Sequence, residues 1–243
     1  IPGMFIVQEF CAGDLRGAME HAHERYHSYQ DWLQEATRLA SQLAEGMDYL
    51  HSRDIVHRDM KPENVMLTIH GTVRIGDFGV SSQHAVQNAG KLSTEETLQA
   101  AAGTLEYMAP ETFLLLLIQA EARSHSRSRA RSEQHSPVAA QPPVDVFAFG
   151  VMLWELLMDW SDASSPVNTN SMINELPQFQ KKFEKTLPSL TPNALEAAWE
   201  HPSLDYLPQM CTKSLIVLVQ QCWAFKATER LQFRQICQKL SGD

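Results

Sequence analysis

Three short stretches hold the residue types that could do chemistry. His57-Arg58-Asp59-Met60-Lys61-Pro62-Glu63-Asn64 gathers an imidazole, two carboxylates, two cations and a carboxamide. Asp77-Phe78-Gly79 follows after an apolar interval, and Ala109-Pro110-Glu111 comes later. A carboxylate can accept a proton, and carboxylate and carboxamide oxygens are the donors that hard divalent cations take. Alone, each tripeptide is weak, since such turns are common; their joint order carries the information. A fourth stretch, His23-Glu24-Arg25-Tyr26-His27, has the HExxH spacing in which two imidazoles one helical turn apart hold zinc. Arg25, Tyr26, His21 and Glu20 around it read as a solvated face and no clear third ligand follows, so a surface segment is expected there.

These residues need elements to position them. From Asp31 to about His51, apolar residues at Leu33, Ala36, Leu39, Ala40, Leu43, Met47 and Leu50 follow helical spacing, with Asp31 and Gln34 placed like a capping box. Two apolar runs, Val65 to Ile69 and Val73 to Ile75, flank His70-Gly71-Thr72 and predict a small hairpin. The polar loop His57 to Asn64 therefore lies between a helix and a hairpin. Met4 to Val7 reads as a short buried strand ended by a turn at Cys11 to Asp14, with a connector beyond it. Ser81 to Ala102 has no convincing period and predicts an extended loop. Val144 to Trp160 is apolar nearly all round, as a helix inside a core would be.

In this order the three stretches resemble the catalytic loop, the magnesium-binding motif and the closing motif of eukaryotic protein kinases. The resemblance covers most of the chain outside an Arg/Ser-rich segment. It implies an α+β, mainly α fold: the kinase C-terminal lobe with a small β-hairpin, the N-lobe being largely absent. Residues 1–14 would be the end of an N-lobe strand and the hinge, and 15–243 the C-lobe. The implied reaction is transfer of the γ-phosphoryl of ATP to a protein hydroxyl with Mg2+. Asp59 would orient the acceptor hydroxyl, and Asn64 and Asp77 would hold metal. Lys61, two residues after Asp59, resembles the lysine of serine/threonine-type loops that contacts the transferred phosphate. The rival class is a pseudokinase or regulatory scaffold without turnover, against which the presence of Asp59, Asn64 and Asp77 argues.

The resemblance assigns further roles. The backbone of Glu9 and Cys11 would bond adenine, Asp14 could reach the ribose, and Met66 would lie beneath the base. Arg58 and the segment from Asp77 to Glu111 resemble the regulatory pairing of a cation with a phosphorylated loop, with Ser93, Thr94 and Thr97 as candidate phosphosites. His57, Phe78, Gly79 and Thr104 would be structural or regulatory. Asp145 would tie down the catalytic-loop backbone, and Glu111 and Arg230 would form an ion pair. With Gly103 to Met108 and Cys222-Trp223, the pattern is closest to the tyrosine-kinase-like branch. A Gly-rich loop, strand lysine and helix glutamate are expected upstream in the full-length protein.

Composition bounds the rest. A formal charge of -9 over 243 residues argues against a nucleic-acid surface. Cys11, Cys211, Cys222 and Cys237 form no CxxC pair, so free thiols in a reducing, cytoplasmic setting are expected. No uncharged apolar stretch is long enough to span a bilayer. Residues 123–143, rich in Arg and Ser and then Pro, predict a disordered insertion. Leu114 to Leu117 is expected to be buried rather than partner-facing. Protein substrates are the implied partners.

Overall fold

The computed structural model describes residues 7–79, 81–83, 107–112, 114, 141–158, 204 and 207–242. Thr104, Ser93, Thr94, Thr97, residues 123–140 and Leu115 to Leu117 lie outside the described residues. In chain order the elements are β1 (Gly13–Asp14), α1 (Leu15–Glu20), α2 (Ala22–Arg25), α3 (Tyr29–Ser52), β2 (Ile55–Val56), a 3-10 turn at Pro62–Asn64, β3 (Val65–Leu67), β4 (Val73–Ile75), β5 (Ser82–Gln83), α4 (Pro143–Leu156), α5 (Lys213–Cys222), a 3-10 turn at Ala227–Glu229, and α6 (Phe233–Ser241). The described fold is helix-rich with small antiparallel sheets, in keeping with the expected class.

α3 begins earlier than its apolar spacing suggests. Ser28 is the N-cap, its Oγ accepting the Asp31 N–H, and Asp31 sits at the third helical position rather than at the cap. The cap is thus Ser28 and not the Asp31/Gln34 box, because a hydroxyl at Ser28 already satisfies an orphan helix donor. The face carrying Trp32, Leu33, Ala36, Leu39, Ala40, Leu43 and Met47 is buried. It meets α4, whose residues Val144 to Trp154 are all buried, and α6. At the far end of α4 the Leu156 and Leu157 carbonyls accept from Trp32 Nε1 (3.0 Å) and Tyr29 OH (2.6 Å). Those bonds satisfy acceptors that a helix end leaves open, so α4 stops at Leu156, short of the predicted Trp160.

The hairpin forms in the predicted place but with a shorter first strand. Val65, Met66 and Leu67 pair with Ile75, Arg74 and Val73. Thr68 Oγ1 accepts from His70 and Thr72 N–H groups, and Gly71 turns the chain at φ 71°. The turn therefore starts at Thr68 and takes Ile69 out of the strand. Four other expectations are corrected. Gly13–Asp14 is a strand on Leu67 and Met66 and not a turn, because Ala12 N–H also reaches Leu67 O (2.8 Å) and extends the pairing. The connector after it is two short helices. The extended loop expected from Ser81 is paired at its start, Ser82 with Val56 and Gln83 with Ile55. Pro143, assigned to the insertion, is the first residue of α4, where a missing N–H costs nothing.

Gly150 marks the closest helix contact. A β-carbon there would sit 2.8 Å from Cys222 Cβ and 3.0 Å from Trp223 N. α4 and the end of α5 approach only because that side chain is absent.

Candidate active site

The loop between β2 and β3 is built around a buried carboxylate. Asp145, in the first turn of α4, accepts the Arg58 N–H on Oδ1 (2.7 Å) and the His57 N–H on Oδ2 (2.8 Å). His51 Nε2 lies 2.8 Å from the same Oδ2. The side chain is fully enclosed. Arg58 adopts φ 69° and Asp77 φ 56°, left-handed values that cost a non-glycine residue of order 1–3 kcal/mol. Asp145 helps hold the first of these by fixing the backbone on both sides of the His57–Arg58 peptide.

His57 joins the loop to the Asp77 stretch. It is fully buried, its Nε2 lies 2.8 Å from Gly76 O, and Asp59 N–H donates to Nδ1 (3.3 Å). A neutral ring with the proton on Nε2 satisfies both bonds. Its face packs on Phe78 with centroids 5.2 Å apart. Gly76 N–H in turn reaches Asn64 O (2.9 Å), so residues 57, 64 and 76 form one closed frame.

Inside that frame the charged groups converge. Lys61 Nζ lies 3.0 Å from Asp59 Oδ2, and Asn64 Nδ2 donates to the same oxygen (2.9 Å) and to Asp59 O (2.7 Å). The Asn64 amide nitrogen is thus committed to Asp59, and its oxygen is the atom a cation could take. Asp77 Oδ1 accepts the Gly79 N–H (3.3 Å), which leaves Oδ2 for a ligand. Two oxygen-donor residues suit magnesium, which commonly takes one or two protein oxygens and completes its shell with water and nucleotide phosphates. Among the described residues no larger His, Cys, Asp or Glu cluster could hold a metal.

The segment leading in is more open. Glu9 is exposed and its carboxylate pairs with Arg74 (2.6 Å). Cys11 is half-buried, while Val7 and Phe10 are exposed. Asp14 Oδ1 accepts the Gly17 N–H (2.8 Å) as the cap of α1, so part of the carboxylate expected at the ribose is engaged. Met66 faces the loop side of its strand, its Cγ 3.3 Å from where a Gly76 β-carbon would stand.

Arg230 and Glu111 form a two-pronged pair at 2.7 and 2.8 Å. The guanidinium also donates to the carbonyls of Ala224, Phe225 and Pro143 and stacks over Phe147 at 5.0 Å. The pair clamps the residue after Ala109-Pro110 onto the start of α4. His23 and His27 do not share a helical turn, because α2 ends at Arg25 and Tyr26 is extended. The HExxH spacing is therefore a surface segment, as expected.

One network has no counterpart in the sequence reading. Arg16 Nε pairs with Glu63 (3.0 Å), Nη1 lies 3.6 Å from Glu155, and Nη2 bonds the Tyr107 hydroxyl, which donates to Glu155 (2.8 Å). Burial works to lower the Arg16 pKa, but Glu155, Tyr107 and Glu63 outweigh it and hold it above its ordinary value. Burial, reinforced by Glu155, raises the Tyr107 phenol well above its ordinary value. The network ties α1, the His57–Asn64 loop, α4 and the residue just before Met108 into one unit. Its only sequence signal is that Glu63 and Glu155 each lie in a recognisable motif. The Arg58 guanidinium is shifted down by burial, against the pull of Asp145.

Comparison with known proteins agrees with this geometry. Residues 2–240 match the protein kinase domain family. Mitogen-activated protein kinase kinase kinase 12 of Rattus norvegicus is 29% identical over 237 residues, covering 97% of this chain and 20% of that protein. Mitogen-activated protein kinase kinase kinase 13-B of Xenopus laevis is 30% identical over 198 residues, 82% of this chain and 15% of its own length. The interferon-induced, double-stranded RNA-activated protein kinase of Rattus norvegicus is 32% identical over 154 residues, 63% of this chain and 24% of its own. The chain thus spans about a quarter or less of the curated relatives it matches. With its loop, its metal-type oxygen donors and its clamp on α4, this chain belongs to the eukaryotic protein kinase family, on the tyrosine-kinase-like branch.

Proposed function

We propose that the domain transfers the γ-phosphoryl of ATP to a serine or threonine hydroxyl of a protein, with Mg2+. The observation that carries this reading is the Asp59 constellation: Lys61 and Asn64 converge on one carboxylate oxygen within 3.0 Å. Phosphoryl transfer depends on positioning and charge neutralisation more than on covalent catalysis. In this reading Asp59, held by Asn64, accepts a hydrogen bond from the acceptor hydroxyl and aligns it. Lys61, paired with Asp59, would contact the transferred phosphate. Asn64 and Asp77 would hold Mg2+, which supplies charge neutralisation on the phosphates when bound. Glu9 and Cys11 would offer backbone groups to adenine, Met66 an apolar floor, and Asp14 its remaining oxygen to the ribose. Arg58 would receive a phosphate from the segment after Asp77.

The division into a hinge-side stretch over residues 1–14 and a C-lobe from 15 onward belongs to the same proposal. So does an intracellular setting; among the described residues no helix is long and apolar enough to cross a membrane.

The test is acceptor identification on the full-length protein. Incubation with Mg2+-ATP and a mixed-sequence peptide library, followed by mass spectrometry, is expected to find phosphate on serine and threonine. Asp59→Asn should abolish it. Phosphate confined to tyrosine would refute the acceptor assignment, and transfer undiminished in Asp59→Asn would refute the role of Asp59.

A further inference from the structure

A row of three residues crosses the three-stranded sheet. Asp14 of β1 stands opposite Met66 of β3, and Met66 stands opposite Arg74 of β4, both in antiparallel register. Directly opposed residues share one face of a sheet. Asp14 and Met66 have parts in the proposed nucleotide site, at the ribose and beneath the base; Arg74, on the same face, has none. Its guanidinium is already committed. Nε donates to Glu9 Oε2 (2.6 Å), Nη2 to Glu9 Oε1 (3.3 Å) and Nη1 to Val73 O (3.0 Å). The Val73 bond keeps the arginine aimed, and the other two grip the carboxylate as a fork.

Glu9 belongs to a stretch with little else to hold it. Residues 7–10 are exposed, Val7 and Phe10 at 95% and 80%, so burial does not fix their path. Among the described residues, the only other hydrogen bond from residues 7–12 to a distant part of the chain is Ala12 N–H to Leu67 O (2.8 Å), beyond Cys11. We infer that Arg74 is a positioning residue for the nucleotide, an assignment that rests on the adenine reading of Glu9 and Cys11 proposed above: by gripping Glu9 it sets where the Glu9–Cys11 backbone runs relative to Met66, and so where the edge of the base can bond. The side chains of the pair are 44% and 54% exposed, so it adds little to global stability and is open to screening by salt. Its effect is local, on the path of a stretch with few other ties.

Adenosine and Mg2+-ADP, titrated into the full-length protein by calorimetry, separate the base from the phosphates, since adenosine carries no charge. Arg74→Met and Glu9→Met are expected to weaken both ligands alike, by about threefold, within the range of an exposed ion pair. Arg74→Glu sets two carboxylates against each other and should weaken them further, and Glu9→Arg added to it should restore binding. Raising NaCl from about 0.1 M to about 0.5 M should weaken adenosine binding to the unaltered protein more than to Arg74→Met. Adenosine binding indifferent to Arg74→Met, a loss confined to Mg2+-ADP, or no recovery in the charge-swapped pair would overturn the inference and leave the nucleotide site standing. Failure of the unaltered protein to bind either ligand at millimolar concentration would overturn both.

Discussion

Asp145→Asn changes little in shape and much in hydrogen bonding. Oδ1 takes one backbone N–H and Oδ2 takes a second together with His51, all between 2.7 and 2.8 Å, in a fully enclosed position. An amide keeps only one acceptor oxygen, so its NH2 must face at least one of these donors. A buried donor left without an acceptor costs about 1–3 kcal/mol, and more where the lost partner is charged. With the NH2 toward Arg58, that N–H is orphaned; with it toward His57, the His57 N–H is orphaned and His51 must change tautomer to accept from the amide. The expected loss is therefore about 2–4 kcal/mol for Asp145→Asn and about 3–6 kcal/mol for Asp145→Ala, which strands all of them. Urea unfolding followed by tryptophan fluorescence, with a shared slope, gives both values. A loss below about 1 kcal/mol for Asp145→Asn would refute the idea that this carboxylate anchors the loop.

Other outcomes follow from the same geometry. Arg230→Ala strands Glu111 and three carbonyls and should cost about 3–5 kcal/mol; Arg230→Lys, lacking the planar fork, should recover less than half of that in the same unfolding assay. Gly150→Ala pushes a methyl into Cys222 and Trp223 and should cost about 1–3 kcal/mol, and relief by Cys222→Gly in the double variant would locate the clash. Alkaline stability should show one half-buried thiol. Burial, with Asp48 and Glu45, pushes the Cys237 thiol from 9.0 up to about 11. The unfolded chain therefore loses that proton first, and the stability gained by keeping it is complete below pH 9 and lost between about 9 and 11. Cys237→Ala should flatten the fall of unfolding free energy across that window; an unchanged slope would contradict the assignment.

The His57-to-Asn64 stretch is legible in the sequence because the proposed chemistry would constrain residue type at fixed spacing: Asp59, Lys61 and Asn64 share one loop and converge in the structure. α4 is legible for a different reason, since only a core helix can be apolar on every side. Asp145 sits in that apolar run as a charge needing partners, and the loop's own N–H groups supply them. Boundaries are less visible. Ser28 outcompetes Asp31 as a cap by one turn of local geometry, and Thr68 ends β3 through its hydroxyl rather than through any break in the apolar pattern. The Arg16 network is the hardest to read, because its members come from four separate parts of the chain and no single stretch announces them. β1 escapes for a similar reason: Gly13 and Asp14 look like turn residues, and only the pairing with β3 makes them a strand.

The most direct test of the central claim is phosphate transfer from ATP to a generic protein substrate by the full-length protein, as a function of magnesium, for the unaltered chain, Asp59→Asn and Asp77→Asn. Transfer that requires magnesium and is lost in both variants, each still folded by circular dichroism, is the predicted result. No transfer by the folded, unaltered protein, in either its phosphorylated or its unphosphorylated form, would contradict it.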